Sequence, residues 1–162
     1  MKNRVVMSAM TRGFADNEHC CTEKMSEYYE RRAKNGIALI LTEGIIVDKT
    51  GDGYNNVPYM KTSEHAKSWS NTIEKIHAND SKIYAQLWHC GRISHPDYTG
   101  GISPISSSKK QASGINRQNN KPYGIPRKIS KEEIPKIYDM FVNSIEKALD
   151  VGFDGVELHF AH

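Results

Sequence analysis

The sequence holds only three cysteines, Cys20, Cys21 and Cys90, and no Cys-x-x-Cys spacing. This argues against a disulfide framework and a zinc knuckle, and unpaired thiols suit the cytosol. No run of about 18 apolar residues occurs, so no membrane-spanning helix and no membrane partner are expected. The opening Met1-Lys2-Asn3-Arg4 leads into a strand pattern rather than the apolar stretch of a secretion signal, and a soluble, cytoplasmic protein is the expectation. Basic charge is not concentrated either. The chain carries 22 Lys and Arg against 19 Asp and Glu, a net +3 spread along its length, which gives no footprint for nucleic acid. A dinucleotide fingerprint is missing, since Gly51-Asp52-Gly53 lacks both the third glycine and the strand-turn-helix context. Walker A and Gly-x-Ser-x-Gly patterns are absent too, which sets aside phosphate-loop and serine hydrolases. There is no internal repeat and no linker, so residues 1–162 are expected to form a single domain.

What the chain does have is alternation. Short apolar runs at 5–9, 37–41, 83–87 and 156–160 read as strands, the second almost wholly aliphatic as in a strand covered on both faces. Between them lie helical patterns. Thr22 is placed to cap a helix running to about Lys34, with Met25, Tyr28, Tyr29 and Ala33 as its apolar stripe and Gly36 ending it. Ser63 is expected to cap a second, with Trp69, Ile73 and Ile76 on one face. Ser130 and Glu133 have capping-box spacing ahead of Ile137, Phe141, Ile145 and Ala148, although Pro135 implies that the first turn is separate from the main helix. Strand-helix alternation of this kind demands a parallel sheet with right-handed crossovers, in either a doubly wound sheet or part of a β/α barrel. Two long connections, 43–62 and 88–127, follow strands and precede helices, on the side where loops carry function.

Polar and aromatic residues gather at the four strand ends: Thr11, then Glu43 and Gly44, then Gln86, Trp88 and His89, then His159 and His162. Together they read as one wall of a pocket. His159 and His162 have a His-x-x-His spacing that suits zinc where a turn brings the rings together. On a regular strand, however, residues three apart face opposite sides, and no acidic third ligand lies nearby, so no metal is expected.

The segments Val6-Met7-Ser8-Ala9-Met10-Thr11-Arg12, Thr42-Glu43-Gly44, Gln86 to Pro96 and Gly152 to His159 resemble, in order and spacing, those of the old yellow enzyme family. The resemblance covers essentially the whole chain. It implies a parallel β/α barrel of the TIM type that holds FMN noncovalently and uses NADPH or NADH to reduce activated C=C bonds of enones or nitroalkenes. By the same resemblance, Ala9, Met10, Thr11, Gly44, Gln86 and His159 would contact FMN. Thr11 would donate near the flavin C4 carbonyl and N5, and Gln86 would meet the mixed donor and acceptor edge of the pyrimidine ring. His159 and His162 would act catalytically by binding the substrate oxygen, while Tyr54 and Trp88 would line the substrate pocket. Spacing alone would make Trp88 a core residue.

Three positions depart from the family pattern. Ala9 stands where proline is usual, Tyr59 where glycine usually follows Pro58, and Phe160 where a small residue follows the first histidine. The bulk of Phe160 predicts a shifted histidine pair or a crowded pocket. Length departs further, since a full barrel needs about 250 residues and this chain carries counterparts of only the first four strands. The expectation is an N-terminal half-barrel, partnered by a complementing C-terminal half or by further copies of itself. Two functions remain open: an FMN-dependent ene reductase, or a catalytically dead half-barrel acting as an assembly or binding module.

Overall fold

The computed structural model describes residues 1–160, so Ala161 and His162 lie outside it. Four strands, β1 (Val6–Met7), β2 (Leu39–Ile46), β3 (Lys82–Trp88) and a last strand Gly155–His159, form one parallel sheet in chain order. Crossovers between them carry α1 (Glu23–Lys34), α2 (Ser63–Lys67), α3 (Ser70–His77), the short α4 (Pro96–Thr99) and the long α5 (Ile134–Val151). The connection after β3 also contains β4 (Ile105–Ser106) paired with β7 (Arg127–Lys128), and a hairpin of β5 (Ile115–Asn116) with β6 (Lys121–Pro122). The last strand of the main sheet is therefore β8.

Local chemistry explains these elements. The Thr22 hydroxyl accepts from the Met25 amide at 3.4 Å to start α1, and Gly36, at φ +94°, turns the chain out of it. The second strand begins two residues later and runs five residues further than the apolar run predicts. Polar Thr42 does not stop it, because its hydroxyl accepts from the Gln86 amide at 3.0 Å and donates to the Glu43 carbonyl at 2.8 Å. The ladder slips between Leu41 and Gly44 and then continues to Ile46. Only Val6 and Met7 of the expected first strand pair with β2. β3 gains a residue at each end of the predicted run, and β8 ends at His159 rather than Phe160.

Thr62, not Ser63, caps α2: its hydroxyl accepts from the His65 amide while His65 Nδ1 accepts from the Thr62 amide. The stretch expected as one helix is broken at Ser68 and Trp69 into α2 and α3. The Ser130 and Glu133 capping box forms as predicted on a separate 3₁₀ turn, Lys131–Glu133. Pro135 then sits in the first turn of α5, where its missing N–H costs nothing.

The core lies between the sheet and the helices. Ile40, Ile45, Ile83, Ala85 and Leu87 point from the strands onto Met25, Tyr29, Ala33, Trp69, Ile73, Ile76, Phe141 and Ala148. Trp69, tilted against both Tyr29 and Phe153, ties α1 and α3 to the start of β8. The opposite face carries Gln86, Glu157 and His159 beside a second buried cluster, in which Ile46 and Trp88 pack with Val57, Tyr59 and Cys90.

Candidate functional site

Period-two alternation sends every second residue of a strand to the same face. On β3 the core takes Ile83, Ala85 and Leu87, which leaves Tyr84, Gln86 and Trp88 on the other face. On β8 the corresponding residues are Gly155, Glu157 and His159. Register aligns them in rows across the sheet. Gly44, Gln86 and Glu157 are neighbours in one row, and Ile46, Trp88 and His159 in the next.

Within the first row, Gln86 Nε2 donates to Glu157 Oε2 at 2.9 Å. The second N–H of that amide and its carbonyl oxygen make no hydrogen bond among the described residues, so donor and acceptor stay together on the open face. In the second row the His159 and Trp88 rings meet edge to face at 5.4 Å between centroids. Trp88 also tilts against Tyr54 at 4.9 Å. Gly44 lies beneath Trp88, and a Cβ there would collide with its six-membered ring. The missing side chain at Gly44 thus makes room for the indole.

Tyr54 is placed by a buried carboxylate. Asp52 Oδ1 accepts from the Tyr54 amide at 3.1 Å, and Oδ2 accepts from the Tyr59 hydroxyl at 2.7 Å. Burial holds the Asp52 carboxyl above its ordinary value, against the pull of the Tyr59 hydroxyl and the Tyr54 amide. Tyr59, the departure from glycine, stacks on His19 at 3.9 Å and 14°. It thereby serves as the outer prop of Asp52.

Three expectations need correction. Glu43 does not face the pocket wall. The slip in β2 turns it into the interior beside Tyr29, whose hydroxyl accepts from the Glu43 amide at 2.9 Å. Burial pushes the Glu43 carboxyl up to about 7, although the backbone amides of Gly13 and Arg12 and the Arg12 guanidinium pull it down. His89 also leaves the wall: Nδ1 accepts from the Gly91 amide at 3.0 Å and Nε2 meets the Thr50 hydroxyl at 3.3 Å. Phe160 does not crowd His159. Its ring packs instead on Phe141 of α5 at 5.4 Å between centroids, beside a small apolar cavity of about 230 Å³, while the expected shift of the histidine pair involves His162 and lies outside the described residues.

Ala9, Met10 and Thr11 follow β1 and lie at the same C-terminal edge of the sheet as Trp88 and His159. Met10 and Thr11 are exposed and Ala9 half-buried. Behind them Arg12 and Arg32 stand 3.2 and 3.3 Å from the Tyr28 ring centroid, close enough that they must occupy opposite faces of it. The remaining catalytic and substrate-binding expectation, His162, lies outside the described residues. Sequence reasoning missed Glu157 as the partner of Gln86 and Asp52 as the support of Tyr54. The alternation Gly155-x-Glu157-x-His159 could have shown the first, whereas the second depends on a loop contact with no local signal.

The profile of the NADH:flavin oxidoreductase / NADH oxidase family matches residues 1–162. The chain belongs to this family. Rice (Oryza sativa subsp. japonica) 12-oxophytodienoate reductase 7 is 34% identical to it over 168 residues, and rice 12-oxophytodienoate reductase 1 is 32% identical over 167. Each match takes in the whole of this flavin oxidoreductase family chain and 42% of the relative. Among solved structures, the old yellow enzyme homologue from Zymomonas mobilis superposes with a TM-score of 0.91 at 33% identity, covering 98% of this chain and 44% of that one. A morphinone reductase variant in complex with tetrahydroNAD gives 0.89 at 30% identity, with 98% and 45% covered. The four-stranded sheet is accordingly part of a TIM-type β/α barrel. The chain spans less than half the length of these relatives.

Proposed function

We propose that the open face of the sheet is the flavin and substrate wall of an FMN-dependent reductase acting on activated C=C bonds with NADPH or NADH as reductant. The carrying observation is the convergence of Gly44, Gln86, Trp88, Glu157 and His159 on one face at the C-terminal strand ends, in a chain of the flavin oxidoreductase family. Gln86 supports FMN binding best, because its amide keeps a free donor and acceptor for a ring edge that carries both. Ala9, Met10, Thr11, Gly44 and His159 complete the proposed contacts. Bound FMN would supply hydride transfer from the nicotinamide to the β-carbon of the alkene.

The side chains of this chain hold the substrate for that chemistry. His159, joined by His162, would donate to the carbonyl or nitro oxygen and stabilise the negative charge that builds there as the double bond is reduced. Trp88 and Tyr54 would form the apolar side of the pocket. Residues 1–162 then act as one domain that carries this wall of the site.

Purifying the chain with FMN tests this reading. A bound flavin absorption spectrum and NADPH- or NADH-dependent loss of 2-cyclohexenone are expected. In that assay His159→Ala should lower kcat/KM for the enone about 100-fold, the usual cost of removing an oxyanion donor. A chain that retains no flavin and reduces no enone would be a binding module instead, a reading favoured by the exposed apolar face of α5.

A further inference from the structure

The segment that follows β1 is anchored beyond Thr11 rather than at it. Gly13 takes φ +69° with the Asn55 carbonyl oxygen 2.9 Å from where a Cβ would stand, so only glycine fits there. Farther on, the Ala15 amide donates to the Asn56 carbonyl at 2.9 Å, and the Thr22 hydroxyl donates to the Phe14 carbonyl at 2.8 Å. The Arg12 guanidinium lies over the Tyr28 ring of α1. Thr11 itself is exposed, so its place follows from the residues that succeed it.

Beside Arg12 and Gly13, on the interior side, stands the Glu43 side chain, only 1% exposed. Its carboxylate faces the backbone amides of Gly13 and Arg12 and the Arg12 guanidinium. Among the described residues, neither Glu43 Oε2 nor Arg12 Nη1 has a hydrogen-bond partner, although both atoms are buried. Burying a carboxylate in this way is costly, at a strand position that an apolar side chain would fill more cheaply. The other titratable groups that face Glu43 are Cys21, from the segment before α1, and Tyr29, on α1. Burial pushes the Cys21 thiol up to about 12 and the Tyr29 hydroxyl well above its ordinary value, so both stay neutral near pH 7. Arg12 supplies the opposite charge.

We propose that Glu43 is a positioning residue: by attracting the Arg12 and Gly13 amides and the Arg12 guanidinium, it fixes the turn after β1 and with it the Thr11 hydroxyl. The slip in β2 directs Glu43 away from the open face, so it acts through the turn and not on the flavin. That Thr11 serves FMN rests on the proposed reductase reading, whereas the hold of Glu43 on the turn does not. With the carboxyl pushed up to about 7, its ionisation strengthens these attractions around neutral pH, even while it costs the fold as a whole free energy.

Amide NMR of the full chain, titrated from pH 5.5 to 8, tests the hold directly. The Arg12 and Gly13 signals should move together with a midpoint of about 7, and Glu43→Gln should abolish the movement. Signals that do not titrate, or that titrate unchanged in the variant, overturn the proposal. If Glu43→Gln melts early, Arg12→Gln takes its place: it should raise the Gly13 midpoint, and an unmoved midpoint overturns the proposal equally. Fluorescence titration with FMN reads the consequence for the flavin. Glu43→Gln should weaken binding about tenfold at pH 8, the scale of a hydrogen bond to a charged group, and by less than about twofold at pH 5.5, where the parent carboxyl is protonated. In a Thr11→Val background the same substitution should cost less than about twofold at either pH. A loss equal at both pH values, or one that adds in full to that of Thr11→Val, makes Glu43 merely structural and overturns the proposal. A parent chain that binds no FMN removes the reductase reading, while the amide signals still decide whether Glu43 holds the turn.

Discussion

Glu43 is nearly sealed from solvent and carries a carboxyl whose pKa is raised to about 7 by burial. A group whose pKa rises on folding takes up protons as it folds. Its contribution is complete below the ordinary carboxylate value near 4.5 and is lost as pH climbs through about 7. That gap corresponds to about 3 kcal/mol. Thermal melts should therefore show stability falling from about pH 5 to 7.5, and Glu43→Gln should flatten the profile, since an amide has nothing to ionise. A variant that keeps the slope of the parent would locate it in another group. Gly44 offers a second test. Gly44→Ala forces a methyl group into the Trp88 ring and should cost about 1–3 kcal/mol, with a changed near-ultraviolet circular dichroism band as the indole moves. The positions of Gln86, Trp88 and His159 were legible in the sequence because they lie on regular strands, where alternation and motif agree. Glu43 was not, because the slip between Leu41 and Gly44 breaks the alternation by which its direction would be read.

Asp154 performs at the scale of the element what no single strand bond could. Placed just before β8, it accepts from the Ile83 amide at 3.0 Å, from His77 Nε2 at 2.7 Å and from Lys82 Nζ at 2.8 Å. It joins α3, β3 and β8 at the end of the sheet opposite the proposed site. Burial alone would raise its pKa, but Lys82, the Ile83 amide and His77 outweigh that and hold it below the ordinary value. Its contribution is present above the unfolded carboxylate value and disappears as pH falls through the lower folded one. Asp154→Ala should lower the stability measured by urea unfolding by about 1–3 kcal/mol at neutral pH, and by less near pH 3. An undiminished gap at acid pH would argue against the charged clamp. The helices were readable from their caps and stripes, and Thr22 and Ser130 cap as anticipated. The division of α2 from α3 was not, because nothing in Ser68-Trp69-Ser70 announces a break: α3 starts without a side-chain cap.

Over the whole molecule, apolar surface is unevenly covered. Tyr138, Val142 and Leu149 stand about half or more exposed along α5, with Leu158 and Phe160 exposed close by on and just after β8. Patches of this kind seek cover. Val142→Lys together with Leu149→Lys should lower binding of a hydrophobic dye and raise the concentration at which light scattering first appears, without loss of helical signal. Unchanged dye binding would place the reactive surface elsewhere. Among the described residues, no helix is long and apolar enough to cross a membrane.

The rows of the sheet also constrain the gene. Gly44, Gln86 and Glu157 share one row, and Trp88 and His159 the next, only while β2, β3 and β8 hold their present register. Loss or gain of a single codon within 82–88 or 155–159 would turn the following residues over, presenting Leu87 or Leu158 where Gln86, Trp88 or His159 now stands. Point substitutions can drift through these strands one side chain at a time, but small insertions and deletions have room only in the connections.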